Sequence, residues 1–295
     1  MVTESFATPV PLLTYTPTAG MGLKRFIINR LEVLFGRHRL EAIYNQLHAE
    51  HPPVQQFFGR ALSLGDVRVE LDVGQLAKIP RQGPVIIIAN HPFGVVDGLI
   101  ACDIAARTRD SFKVMLHSRL CKDDYLQTCF LPISFDETKE SVQSNVETKK
   151  LARKTLEENG TLVIFPAGGV STRKRLGFGE LADLPWSTFV AKLALQTHAT
   201  IVPVYFHGEN SRLFHFVSGF SQTLRYSLLL SEVSNKLGRT VTVSVRDPVV
   251  AADYESLSRK ALTSYLHQIT FASDCGLYSL PLRRKRLEGE TVDAG

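Results

Sequence analysis

His91 and Asp97 are the residues whose types and spacing most directly suggest chemistry in this chain. A neutral imidazole can take a hydroxyl proton near physiological pH. A carboxylate beside it selects the ring tautomer and stabilises the imidazolium as it forms. Pro92-Phe93-Gly94-Val95-Val96 separates the two, and Gly98 follows. Upstream, Val85-Ile86-Ile87-Ile88-Ala89 reads as a buried strand. It stops at Asn90-His91-Pro92, because proline cannot donate to a ladder. A helical pattern resumes at Asp97, so the histidine ends a strand and the aspartate begins a helix. Gly94 would let the backbone approach a substrate, and amides at the helix start could hold an oxyanion. Taken alone, the pair fits a plainer arrangement better: a hydrogen-bonded turn histidine and an aspartate N-cap.

Two other segments add candidates. Val163-Ile164-Phe165-Pro166-Ala167-Gly168-Gly169-Val170-Ser171 is a strand running into a sharp turn, with Arg173, Lys174 and Arg175 just beyond. Such a turn could cradle a phosphate, although it lacks the Gly-Lys-Ser/Thr ending of a P-loop. In Thr200–Ser211, Pro203 points to a strand edge or an interruption. His207 and Asn210 in its polar loop could touch a substrate, with His207 the more readily structural of the two. His198 and His215 read as structural because nothing pairs with them, and Trp186 reads as a packing anchor.

The elements that must position these residues alternate beyond residue 65. Strands are expected at Val67–Leu71, Val85–Ala89, Lys113–Leu116, Thr161–Phe165, Thr200–Phe206 and Thr240–Val245. Helices are expected at Gly98–Ala106, Glu140–Glu158 and Ser187–Gln196, with Asn159-Gly160 as a C-cap. That alternation implies an α/β layered domain with a mostly parallel sheet flanked by helices. Sites in such folds gather beyond the carboxyl ends of strands, where His91, Phe165-Pro166 and His207–Ser211 all fall.

Four regions follow: 1–20 disordered, 21–64 an amphipathic helical region, 65–250 the catalytic domain, and 251–295 a C-terminal helix with a basic tail. In Leu23–Tyr44, Phe26, Ile27, Leu31, Leu34 and Phe35 share a face that could lie in a headgroup layer or pack on the domain. The 295 residues, 44% of them hydrophobic, can bury a substantial core. Net charge is a mild +5, but Lys24, Arg25, Arg30, Arg37 and Arg39 cluster, as do Arg283-Arg284-Lys285-Arg286. By charge alone these suit anionic lipid or nucleic acid equally. A nucleic-acid binder is excluded for want of a zinc knuckle, recognition helix or aromatic-basic strand. Cys102, Cys121, Cys129 and Cys275 lack metal-type spacing and fit a reducing compartment. No run approaches the roughly 18 apolar residues of a membrane span, and the first residues lack a signal peptide's pattern. The expected location is cytoplasmic, peripheral on the inner face of the cell membrane.

The three segments together resemble the lysophospholipid and glycerol-phosphate acyltransferase superfamily. Asn90-His91-Pro92 through Asp97-Gly98 resembles its first block, Phe165-Pro166-Ala167-Gly168 its third and Ile201-Val202-Pro203-Val204 its fourth. A bacterial subgroup of haemolysin-like acyltransferases is nearest in pattern, and Asn235–Val241 also resembles it. The resemblance implies transfer of a fatty acyl group from an acyl thioester to a lysolipid hydroxyl. It gives His91 the role of base and Asp97 that of its partner. Substrate contacts would come from Asn90, Gly94, Phe165, Pro166 and Gly168, with Ser171, Arg173 and Asn210 beside them. No cofactor or metal is expected; acyl-CoA or acyl carrier protein is the co-substrate, and a lipid acceptor and the membrane surface are the partners. Attack would be direct, as no Gly-x-Ser-x-Gly elbow occurs.

Several departures bear on substrate. The first block has one residue more than the family's four between histidine and aspartate. Ala167 stands where a glutamate is usual, Gly169-Val170 replace Thr-Arg, and the second block is not recognisable around Leu131–Ser134. An acceptor other than glycerol 3-phosphate follows, with Arg173, Lys174 or Arg212 as substitute cations. A hydrolase using the same base, or a non-enzymatic membrane-binding protein, are the competing readings.

Overall fold

The apolar run at 85–89 lies inside a seven-stranded sheet in the computed structural model, which describes residues 37–272 except 122–123, 137 and 221. Helices α1 (Arg37–Glu50) and α2 (Val54–Leu64) come first, then β1 (Arg68–Glu70), β2 (Val85–Ala89) and α3 (Val95–Thr108). Next are β3 (Phe112–His117), β4 (Phe130–Ile133), α4 (Lys139–Glu157) and β5 (Thr161–Ile164). A small hairpin of β6 (Thr172–Arg173) and β7 (Leu181–Ala182) precedes α5 (Phe189–Thr197) and β8 (Thr200–Phe206). The described chain closes with α6 (Arg212–Ser218), α7 (Gln222–Lys236), β9 (Thr240–Val245) and α8 (Arg259–Phe271).

Sheet order is β1-β9-β8-β2-β5-β3-β4. The five strands from β8 to β4 run parallel, while β9 lies antiparallel to β8 and carries β1 parallel beside it. Both faces are covered, which is why β2 is a continuous apolar run rather than an alternating one. Val85 and Ile87 face α2 and α3 in one core, with Phe57, Phe58, Ile100 and Ile104. Ile86 and Ile88 face α4, α5 and α8 in the other, with Leu156, Leu193, Leu262 and Leu266. Full burial of each such side chain contributes about 1.5–3 kcal/mol.

β2, β8 and β9 coincide with the ranges expected from sequence, and β1, β3, β5, α4 and α5 do so within two residues at either end. The helix expected from Gly98 starts earlier, at Val95. Strand β4, at the sheet edge and carrying Pro132, was not anticipated, nor were the hairpin, α6 and α7. Pro203 sits inside the sheet, not at its edge: the β8–β9 ladder breaks there and resumes only as a bridge between Ile201 and Val249. Of the helix read over Leu23–Tyr44, only residues from Arg37 onward fall among those described. That part extends to Glu50 and buries Leu40 and Leu47 in the first core. The amphipathic face upstream and the basic tail lie outside the described residues. Among those described, no helix is long and apolar enough to cross a membrane.

Candidate active site

Three neighbouring strands, β8, β2 and β5, end side by side and deliver the three candidate loops to one edge. The first loop turns at Gly94, whose φ of +79° and ψ of −117° side chains resist. A Cβ there would also come within 3.3 Å of both Leu229 and Val170. This turn absorbs the longer spacer. His91 Nδ1 lies 3.1 Å from Asp97 Oδ2. The same oxygen accepts the Phe93 N–H at 2.7 Å and the Gly94 N–H at 2.9 Å.

Asp97 is fully buried, and desolvation pushes its pKa up against the pull of His91 and the two amides. Its three donors mark Oδ2 as the acceptor, which assigns the ring proton to Nδ1 and leaves Nε2 as a base. Nε2 has no partner among the described residues, and the side chain is 17% exposed. Phe165 stacks on the ring at 4.1 Å between centroids. The Ser171 N–H holds the His91 carbonyl at 2.8 Å. A clamped imidazole with one open nitrogen can remove a proton from an approaching hydroxyl. The amides of Phe93 and Gly94, just before the helix that starts at Val95, point inward at Asp97.

A family model described as "Acyltransferase" matches residues 44–236. The chain belongs to the acyltransferase family. It is therefore an acyltransferase, and the resemblance carried by the three loops holds. Similar relatives include a lyso-glycine lipid O-acyltransferase of Phocaeicola vulgatus, 23% identical over 77% of this chain and 80% of that one. Another, of the same description from Bacteroides thetaiotaomicron, is 24% identical over 81% of this chain and 86% of its own. Among solved structures, the 1-acyl-sn-glycerophosphate (LPA) acyltransferase PlsC of Thermotoga maritima shares the fold. Its TM-score is 0.50, at 15% identity, covering 84% of this chain and 94% of that one.

The acyltransferase uses its other expected contacts differently. Phe165 stacks on His91, and the exposed Gly168 lies next to Phe135. Asn90 is instead a buried clamp: its amide donates to the Phe206 carbonyl at 3.0 Å and accepts the Phe206 N–H at 2.7 Å. Pro166 is buried, its carbonyl holding the Ser187 N–H. Ser171 is buried with its hydroxyl on Asp183, so it props the His91 loop and its side chain does not face solvent. Arg173 grips Glu209 with two nitrogens and donates a third to the Gly179 carbonyl. That guanidinium is spent on the fold and is not the free cation expected. Asn210 is buried and sealed from solvent, with neither amide atom paired among the described residues. Lys174 and Arg212 remain exposed. Among the described residues, no cluster of His, Cys, Asp and Glu is arranged to hold a metal ion.

Some participants escaped sequence reading. His215, expected to lack a partner, is fully buried with Nε2 3.1 Å from Glu209 Oε2 in poor alignment, and Nδ1 accepts the Arg173 N–H at 3.3 Å. Burial pushes its pKa down, while the Arg173 guanidinium holds the Glu209 carboxyl below its usual range. Glu232 receives both the N–H and the hydroxyl of Ser211, and Lys236 covers the Phe93 ring at 4.1 Å. The crowding of polar residues at 207–211 was a signal, but their partners lie too far along the chain to be read. His207 on Ser244, and Trp186 on Asp183, His267 and Phe271, are structural as expected.

Proposed function

We propose that this acyltransferase moves a fatty acyl group from acyl-CoA or acyl carrier protein to a lysolipid hydroxyl in membrane lipid biosynthesis. The observation that carries the reading is the His91–Asp97 contact with Nε2 left open. His91 takes the acceptor's hydroxyl proton as the oxygen attacks the thioester carbonyl. The carbon–sulfur bond then breaks, and the proton passes to the departing thiolate. Asp97 holds the tautomer and the charge on the ring. The two relatives named as lyso-glycine lipid O-acyltransferases, and an Arg173 committed to Glu209, favour a lyso-aminolipid over an acceptor bearing a free phosphate.

The enzyme works at a membrane surface, on the cytoplasmic side. Pulling an acyl chain out of a bilayer costs about 0.8 kcal/mol per CH₂, so the acceptor is best met where it lies.

Purified protein given an acyl thioester and a panel of lysolipids should release thiol and form the doubly acylated product. His91→Ala should lower this turnover about 10²- to 10⁴-fold with no change in melting temperature. Full turnover in that variant would refute the assignment of the base. Thiol release without an acylated acceptor would make the enzyme a hydrolase.

A further inference from the structure

We infer that this acyltransferase docks on an anionic bilayer through the outer face of α6 and the turns flanking it, an inference that rests on the lysolipid reading above. Leu213 and Phe216 of α6 are 52% and 47% exposed, and Phe220 in the turn to α7 is 63% exposed. The rings of Phe216 and Phe220 meet edge-on, 5.0 Å apart. Phe178, 88% exposed, follows Gly177, which packs so closely on α6 that a Cβ there would lie 3.3 Å from the Phe216 nitrogen. Two of these rings touch, Leu213 precedes Phe216 by one helical turn, and Phe178 is held beside the helix through Gly177. The helix's inner side is conventionally buried through Phe214 and His215. Scattered surface apolar residues are ordinary, but a contiguous group on one element is a contact surface.

Charge chooses the partner. From Ser211 to Ser231 the chain contains Arg212 and Arg225 and no carboxylate. Arg212 and the neighbouring Lys174 are exposed. Glu180, two residues after Phe178, is the exposed carboxylate nearest the group in sequence, while the helical stretch itself carries cations alone. Aromatic rings edged with such cations match a layer of negatively charged headgroups.

Position links the surface to the chemistry. α6 follows the loop whose Glu209 pairs with Arg173. On α7, Arg225 donates to the Val170 carbonyl at 2.6 Å, and the next residue, Ser171, holds the His91 carbonyl. The surface therefore stands one loop away from the catalytic ring, on the same edge of the sheet. Docked this way, the enzyme meets a lysolipid hydroxyl at headgroup depth while the lipid's chain stays in the bilayer.

The test sediments the full chain with vesicles of phosphatidylcholine, with and without phosphatidylglycerol. The triple variant Phe178→Ser, Phe216→Ser, Phe220→Ser should need about tenfold more lipid for half-maximal binding. It should lose turnover on vesicle-borne lysolipid, yet keep its melting temperature and its turnover of a short-chain, water-soluble substrate pair. Val73→Ser, at an exposed position on a turn packed against β9, should change neither. A triple variant that binds vesicles like the parent overturns the inference. So does an oligomer that the triple variant disperses while vesicle binding is unchanged, since the face would then join copies of the chain. Equal binding of the parent to uncharged vesicles overturns the anionic requirement. If the parent binds vesicles but acylates no lysolipid, the functional reading fails and the docking surface stands.

Discussion

At the amino edge of the sheet, Arg109 is buried and donates to the carbonyls of Pro80, Gly83 and Asn159 and to the Thr161 hydroxyl. Beside it lies a polar hollow of about 480 Å³. At the opposite edge, His91 is gripped through one nitrogen and one ring face, and its other nitrogen faces outward. Both side chains tie several loops to the ends of β2 and β5. The guanidinium spends four hydrogen bonds on three carbonyls and one hydroxyl, which ties the segments at 80–83 and 159–161 to the end of α3. The imidazole is held just as firmly but keeps one acceptor uncommitted. The proposed function rests on that uncommitted atom, not on the hollow beside Arg109.

The comparison can be broken from either side. Asp97→Asn keeps an oxygen for the Phe93 and Gly94 amides but favours the wrong ring tautomer, so turnover should fall about 10⁴-fold. Because burial raises the pKa of Asp97, the folded state binds a proton more readily than the unfolded chain, and the ionised form at neutral pH opposes folding. The variant's melting temperature at pH 7 should therefore equal or exceed the parent's. A clear drop would show that the carboxylate supports the fold as well as the chemistry.

Arg109→Ala should do the reverse. It strands several carbonyls at about 1–3 kcal/mol for each that water cannot reach, so stability should fall by roughly 2–4 kcal/mol in a denaturant titration. Turnover per folded molecule should persist.

The smallest effect concerns His215. Below about pH 6.5 the unfolded chain gains a proton that the buried, folded imidazole resists, so stability drops as pH falls. Glu209, whose pKa is lowered, adds its own loss only below about 4.5. Between pH 7 and 5 the melting temperature should fall by about 2–4 °C, and His215→Gln should flatten that slope.

The sequence disclosed what local pattern can encode. The unbroken apolar run at 85–89, the branched residues of β8 and the Asn159-Gly160 stop yield elements within a residue or two of those observed. The histidine–aspartate contact was legible because the partners lie six residues apart, one in the loop and one in the first turn of the helix that follows it. The commitments of Asn90 to Phe206 and of Arg173 to Glu209 were not, since each spans a long stretch of chain and depends on which strands are neighbours. Mixed polarity hid α6 and α7: their apolar positions serve two surfaces, one inward and one outward, so no single stripe stands out.

The stacking of Phe165 on His91 has one more consequence. A ring pinned by Nδ1 and covered on one face has little room to swing between two stations. Under the proposed mechanism, a single lone pair would then serve both halves of the reaction, and the alcohol giving up its proton and the sulfur receiving it would have to approach the same nitrogen.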